Sequence, residues 1–115
     1  MTKERMERLM EMYQGIGVET ENGQCYFYEA FDLDLEGAIK RVHNTFSGLK
    51  FGNYKVFIAQ SQEVERMINL HEEEVVIYET KNGDAIAVLE NQAIRLFENV
   101  GCAVDKLHKA GFIYL

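Results

Sequence analysis

The segment EVVIYETKNGDAIAVLE, residues 74–90, constrains the fold more strongly than any other part of the sequence. Two apolar runs rich in β-branched residues flank Asn82-Gly83, a dipeptide that favours the positive φ angles of a tight hairpin turn. This arrangement is typical of two antiparallel strands joined by a short connection. We therefore expect an antiparallel hairpin here, and the rest of the fold has to accommodate it.

Two other segments also have the composition of strands. The runs QCYFYEAF, residues 24–31, and NYKVFIAQ, residues 53–60, are dense in aromatic and β-branched side chains, which favour strands. Residues 16–24 are polar and contain the turn signal Asn22-Gly23, so we expect a loop there.

Helical periodicity occurs between these predicted strands. The first helix is expected to end at Gly15, the second to be capped by Asp32 or Asp34, and the third to begin at Ser61. Each predicted helix has an apolar face with helical spacing. The faces consist of Met6, Leu9, Met10 and Tyr13 in the first helix, Leu35, Ala38, Ile39, Val42 and Phe46 in the second, and Val64, Met67, Ile68 and His71 in the third.

Residues from Asn91 to Ala110 predict a long last helix. Apolar side chains cover about half of its circumference, which is typical of a central packing helix. Gly111 fits the C′ position of a Schellman ending, in which Phe112 reaches back to Leu107. The closing segment FIYL is apolar, and we expect it to dock on the body of the protein or on a partner.

Together these elements predict an α/β fold, with α+β as the alternative, in a single domain over residues 1–115. The predicted order is α-β-α-β-α-β-β-α. Because strands alternate with helices, we expect parallel β-α-β crossovers in a mixed four-stranded sheet, with the hairpin adding an antiparallel pair. The long C-terminal helix is expected to pack on this sheet.

The charge balance limits the classes of partner. The chain has 19 acidic residues against 12 lysines and arginines, a net charge of −7, and such a chain repels nucleic-acid phosphates. No apolar run approaches the roughly 18 residues of a membrane span. The first ten residues, MTKERMERLM, lack the apolar region of a signal peptide, and two cysteines are too few for a disulfide scaffold. We therefore expect a cytoplasmic protein.

A basic segment interrupts this acidic chain. Residues 37–62 contain four basic side chains and no acidic one, and glycines and aromatic residues lie among them in NTFSGLKFGNYK. This composition is compatible with a small-molecule or nucleotide sensor, because aromatic rings stack on bases and the N-terminus of a helix at Ser61 would bind an anion. The candidate ligand-binding residues are Lys40, Arg41, Lys50, Phe51, Tyr54, Lys55 and Ser61.

A second alternative is a metal-dependent enzyme. Asp32, Asp34 and Glu36 are three carboxylates at alternate positions, which hard cations such as Mg²⁺ bind, and a histidine would complete the set. Helix capping and compensation of the helix dipole explain the same acidic residues better, and the spacing lacks the later glycine and glutamate of an EF-hand loop. No nucleotide-binding, catalytic-serine or CxxC motif is present either. We therefore expect no metal, no cofactor and no enzymatic activity.

The leading hypothesis is a small protein-interaction domain that binds a basic protein. Segregated charge and the apolar tail motivate it, and an inhibitor or immunity-type partner is the expected class. The expected partner is another, basic protein, and the tail gives a route to a homo-oligomer. The predicted acidic binding face consists of Glu19, Glu21, Asp32, Asp34, Glu36, Glu72, Glu73 and Glu74.

Overall fold

The computed structural model describes residues 1–46, 53–90 and 94–115, without the side chains of residues 31–33. Within this part of the chain there are three helices and eight strands in two antiparallel sheets, a mixed α+β fold with a C-terminal helix. The chain divides into two compact units, Met1–Gln60 and Ser61–Leu115. The expected single domain over residues 1–115 stays a prediction.

The first unit contains a three-stranded sheet and two helices. Its elements are α1 (Lys3–Met12), β1 (Gly15–Thr20), β2 (Cys25–Glu29), α2 (Ala30–Thr45) and β3 (Tyr54–Ile58). The strand order is β2-β1-β3, and both pairings are antiparallel. The two strands that the sequence predicts around residues 24–31 and 53–60 are thereby confirmed.

The two helices cover opposite faces of this sheet. On one face, a Cβ atom added to Gly17 would lie 3.0 Å from the sulfur of Met10 and 3.1 Å from the sulfur of Met6, and both methionines belong to α1. On the other face, Phe46 at the end of α2 packs against Tyr26 and Tyr54, with ring centroids 5.5 and 5.1 Å apart. Glycines of β1 thus face α1, and the alternating Ile16 and Val18 face α2.

The predicted helix cap at Asp34 is confirmed. Asp34 has φ 58° and ψ 175°, which kinks α2, and its Oδ1 accepts a hydrogen bond of 2.8 Å from the main-chain nitrogen of Gly37. This is the N-cap interaction with the third residue of a helix. All five predicted apolar residues of this helix are buried: Leu35, Ala38, Ile39, Val42 and Phe46.

The second unit is a five-stranded antiparallel sheet with one helix packed on it. Its elements are β4 (Ser61–Ile68), β5 (Glu74–Thr80), β6 (Ala85–Leu89), β7 (Ile94–Phe97), α3 (Val100–Lys109) and β8 (Ile113–Tyr114). The strand order is β7-β6-β5-β4-β8. A buried cluster of sheet and α3 side chains forms its core: Met67, Val75, Ile77, Ala85, Ala87, Leu89, Ala103, Leu107 and Phe112.

The hairpin and the helix ending predicted from the sequence are both confirmed. β5 and β6 pair antiparallel around Gly83, whose φ is 88°. At the end of α3, Gly111 has φ 97° and donates to the carbonyl of His108 at 3.0 Å, while Phe112 donates to the carbonyl of Leu107 at 2.9 Å. These two bonds define a Schellman motif.

The predicted parallel crossovers are wrong, and so is the single four-stranded sheet. Every strand pairing among residues 1–46, 53–90 and 94–115 is antiparallel. One cause of this wrong prediction is strand β1, which lies where the sequence predicts a loop. Its two glycines lower the strand propensity of GIGVET, although Ile16 and Val18 are fully buried. Gly15 begins this strand, and Tyr13, not Gly15, caps α1.

The predicted third helix, beginning at Ser61, is strand β4. A bulge between Glu63 and Glu65 places an extra residue, Val64, in this strand. Val64 and Met67, three residues apart, therefore reach the same buried cluster. In a regular strand, residues three positions apart point to opposite faces of the sheet. Because of the bulge, Val64 and Met67 instead point to the same side, as residues three positions apart do in a helix.

The predicted last helix, from Asn91 to Ala110, is shorter than expected. Residues 91–93 lie outside the described part, β7 follows, and α3 begins only at Val100. Asn99 is the N-cap, and its Oδ1 accepts a 2.8 Å hydrogen bond from the main-chain nitrogen of Cys102. An asparagine side chain at this position separates the strand from the helix.

Among the described residues, no helix has both the length and the apolar character needed to cross a membrane.

Candidate functional site

The turn between β4 and β5 is held in one conformation by Asn69. Its Oδ1 accepts hydrogen bonds from the main-chain nitrogens of His71 (2.9 Å) and Glu73 (3.0 Å), and its Nδ2 donates to the Glu73 carboxylate (3.0 Å). The main chain closes the turn through Glu72 N to Asn69 O at 3.1 Å and Asn69 N to Glu73 O at 3.2 Å. The turn is therefore preorganised by five hydrogen bonds within five residues.

Leu70 projects from this turn into solvent. It is 95% exposed, the largest exposure among the large hydrophobic residues that the structure describes as exposed. A single exposed leucine is common on protein surfaces. This one differs because its main chain is fixed by neighbouring hydrogen bonds, so that little conformational freedom remains to be lost when a partner covers it.

Acidic residues follow Leu70 in the chain. Glu72 and Glu73 follow it in the turn, and β5 begins with Glu74. Glu90, at the end of β6, joins them because its Oε2 accepts a 3.1 Å hydrogen bond from the main-chain nitrogen of Glu74. We call the set Leu70, Glu72, Glu73, Glu74 and Glu90 the acidic tip.

The acidic tip has little neutralising charge. Arg66 of β4 lies 3.8 Å from Glu74, but it also forms a closer ion pair with Glu63. The hydrogen bond and the charge of Glu63 raise the pKa of Arg66, and Glu74 contributes less. Among the described residues, Glu72, Glu73 and Glu90 have no cation within 4 Å. The second unit as a whole carries ten acidic and five basic side chains.

Glu72 adopts a main-chain conformation that disfavours its own side chain. Its φ is 63°, in the left-handed region, where residues other than glycine and asparagine are uncommon. Strain of this kind concentrates at functional sites. Here the strained residue is a glutamate two positions after Leu70, where a glycine would form the same turn without strain.

Glu72→Gly is expected to raise the free energy of unfolding by about 1 kcal/mol, because glycine adopts positive φ without a Cβ penalty. Glu72→Ala is the matched control, since it removes the same charge and keeps the Cβ. Urea unfolding of the two variants measures the difference. Equal stabilities would show that the turn conformation of Glu72 carries no strain.

The acidic residues predicted in the first unit are individually engaged. Glu19 lies 3.5 Å from the ammonium of Lys3, Glu36 lies 3.5 Å from Lys40, and Asp34 caps α2. Glu21 borders an open cleft, and the side chain of Asp32 lies outside the described part. Of the eight predicted acidic residues, the structure therefore gathers Glu72, Glu73 and Glu74 into one tip.

The candidate ligand-binding residues that the structure describes in the first unit have separate neighbours. Lys40 pairs with Glu36, and the guanidinium of Arg41 lies 5.6 Å from the ring of Tyr28. Lys50 and Phe51 lie outside the described residues. Ser61 begins β4 instead of a helix, so the predicted anion site at a helix N-terminus is wrong.

Tyr54 and Lys55 line an open cleft of about 290 Å³ in the first unit. Tyr54 stacks on Phe46, and burial raises the pKa of its phenol. Among the described residues that line this cleft, two are carboxylates, Glu19 and Glu21, and one is an ammonium, Lys55. The charge of these described residues does not favour a nucleotide, whose phosphates are anionic.

The second unit contains two histidines, His71 and His108, and one thiol, Cys102. His71 lies in the exposed turn instead of in a buried stripe, and His108 contacts the ring of Tyr114. Cys102, which falls in the middle of the predicted helix from Asn91 to Ala110, lies in the first turn of α3. Within the described residues, no three His, Cys, Asp or Glu side chains are placed to hold a metal ion.

Comparison of the chain with protein-family models, with curated proteins and with solved structures finds no match. Leu70 and Glu90 are members of the site that the sequence pattern did not indicate. The segment NLHEEE contained one usable signal, Asn69, because an asparagine side chain can bond to the main chain two residues on and stabilise a turn.

Proposed function

We propose that this protein is a protein-interaction domain whose acidic tip binds a basic partner protein. The observation that carries the proposal is Leu70, which is 95% exposed and held by a hydrogen-bonded turn among carboxylates. An apolar side chain that a partner can bury, with charged residues near it in the same turn, matches the apolar core and polar rim of an interface. The proposed partner offers an apolar pocket bordered by lysines or arginines.

The two kinds of side chain in the acidic tip have different physical roles. Burial of Leu70 contributes affinity, because it removes apolar surface from water at little conformational cost. The carboxylates of Glu72, Glu73 and Glu90 accelerate the encounter with a basic surface and select against acidic partners. Added salt should therefore weaken binding by slowing association. Loss of Leu70 should weaken binding by speeding dissociation.

An inhibitor or immunity-type protein is the proposed class, because such proteins cover a basic surface without doing chemistry themselves. We place the interaction in the cytoplasm. Both cysteines, Cys25 and Cys102, are free thiols, as is usual in reducing compartments.

The test compares capture of binding proteins by the wild-type chain and by tip variants. Leu70→Ser is expected to weaken binding of the captured partner about tenfold, the effect of losing one well-buried anchor. Glu72→Gln with Glu73→Gln is expected to slow association and to flatten its dependence on salt. Surface plasmon resonance with the captured partner measures both rates.

Two variants control for unspecific effects. Met12→Ser removes another exposed hydrophobic side chain, 68% exposed on α1, and Glu4→Gln with Glu7→Gln removes two exposed charges from the same helix. Both are expected to bind like the wild type. If the α1 variants weaken binding as much as the tip variants, the acidic tip is not the binding site.

A further inference from the structure

Among the residues that the structure describes, strand β8 forms an edge of the second sheet and pairs only with β4. Ile113 lies opposite Ile68, and Tyr114 lies opposite Met67. The main-chain nitrogen of Leu115 donates to the carbonyl of Arg66 at 3.1 Å. In an antiparallel ladder, hydrogen-bonded pairs alternate with pairs that are not bonded to each other. The N–H and C=O of Tyr114 therefore point away from β4, towards the open edge.

The side chains of this edge are apolar and exposed. Ile113, Tyr114 and Leu115 are 62%, 53% and 64% exposed. Edge strands are normally protected by shortness, a charged side chain, a proline or a bulge. Strand β8 is short, with two residues, but Ile113, Tyr114 and Leu115 include no charged side chain and no proline. An edge with outward hydrogen-bonding groups is a template for one more strand.

The edge is continuous with the acidic tip. Ile113 pairs with Ile68, which lies two residues before Leu70 in the same strand and turn. A strand added to β8 would thus end at the same end of the sheet as the turn that carries Glu72 and Glu73. Complementary charge at that end favours a strand that carries lysine or arginine.

We propose that an extended, basic segment of the partner adds to the edge of β8 as a sixth strand. The choice of a basic occupant rests on the proposed function of the acidic tip. A second copy of this chain is the other candidate, but it would bring another unit with ten acidic and five basic side chains against the first. Like charge disfavours that pairing, whereas a basic strand gains from the same field.

The proposal makes Tyr114 the test position, because its N–H points outward. Tyr114→Pro removes this donor, and proline is tolerated in an edge strand where the missing N–H faces solvent. Tyr114→Ala keeps the donor and also loses the ring contact with His108. The two variants therefore differ mainly in the hydrogen bond offered to an incoming strand.

The probe is an acetylated peptide of alternating arginine and valine, titrated into the ¹⁵N-labelled full chain and followed by NMR. Changes in amide chemical shift and slower amide hydrogen exchange are expected at Tyr114 and along β8. Tyr114→Pro is expected to raise the Kd about tenfold relative to Tyr114→Ala, the effect of one lost hydrogen bond to a strand. A Glu-Val peptide, and an Arg-Val peptide with alternate amides N-methylated, are expected to bind much more weakly.

The outcomes separate this proposal from the proposed function. Equal peptide affinity of Tyr114→Pro and Tyr114→Ala overturns strand addition and leaves the acidic tip unaffected. Loss of binding in Tyr114→Pro, with no effect of Glu72→Gln and Glu73→Gln, supports strand addition but contradicts both the acidic tip and its role in selecting a basic strand. Concentration-dependent dimerisation in sedimentation, abolished by Tyr114→Pro and without peptide binding, would assign the edge to a second copy and overturn the proposal.

Discussion

Gly15→Ala is expected to lower the free energy of unfolding by about 3 kcal/mol, the upper end of the cost of overpacking. A Cβ at this position would lie 2.4 Å from the main-chain oxygen of Tyr28, 2.7 Å from Cζ of Phe27 and 3.0 Å from Cα of Glu29. Two of these three atoms belong to the main chain of β2 and cannot move without shifting the strand. The carbonyl of Gly15 also accepts a hydrogen bond from Ala59 at 3.0 Å, so β1 is held on both sides.

Two other glycines are matched controls for this substitution. At Gly17 an added Cβ would meet two methionine sulfur atoms, which flexible side chains can move, so Gly17→Ala should cost less than about 1 kcal/mol. Gly101 lies in α3, where the nearest atom would be an ordinary 3.4 Å away. Gly101→Ala should stabilise the helix by about 0.5 kcal/mol. Urea unfolding ranks the three variants, and similar stabilities of Gly15→Ala and Gly17→Ala would contradict the observed packing of β1 on β2.

The elements predicted correctly are those in which local signals agree with the tertiary structure. At Gly83 and Gly111 the sequence specifies a positive φ, and the surrounding apolar runs bury the expected side chains. The capping aspartate, Asp34, is likewise defined by bonds within one turn. Such interactions involve neighbours in sequence, which is why periodicity and turn chemistry suffice to find them.

The elements predicted wrongly depend on interactions between distant residues. The bulge of β4 exists only relative to β5, and its effect on Val64 and Met67 imitates a helix. Strand β1 is stabilised by pairing on both sides, although its glycines give it little propensity of its own. Propensity is a weak guide where pairing and burial decide the structure.

The candidate site shows the same division. The charge pattern predicts that Glu72, Glu73 and Glu74 are exposed together, because three consecutive acidic residues cannot all be buried. Glu90 joins them only through the register of β5 and β6, with Glu90 N donating to Glu74 O at 3.0 Å. The exposure of Leu70 depends on the turn that Asn69 stabilises. No hydrophobic periodicity in the sequence indicates this exposure.

The apolar C-terminal tail should stabilise the second unit through one residue. Phe112 is 8% exposed and belongs to the buried cluster that contains Leu107. Its main-chain nitrogen completes the Schellman motif, and its carbonyl lies 3.0 Å from Nδ1 of His108. Phe112→Ala is therefore expected to cost about 3–4 kcal/mol, as for other buried phenylalanines.

Ile113→Ala is the matched control, because Ile113 is 62% exposed and should contribute less than about 1 kcal/mol. Thermal unfolding of both variants, and of a chain that lacks residues 112–115, separates the two functions of the tail. If the deletion lowers the free energy of unfolding by little more than Phe112→Ala does, β8 adds little stability to the sheet that it borders. The exposed apolar side chains and outward hydrogen-bonding groups of β8 would then serve binding rather than folding. If Phe112→Ala and Ile113→Ala lower the free energy of unfolding equally, the distinction between a stabilising Phe112 and an exposed β8 is contradicted.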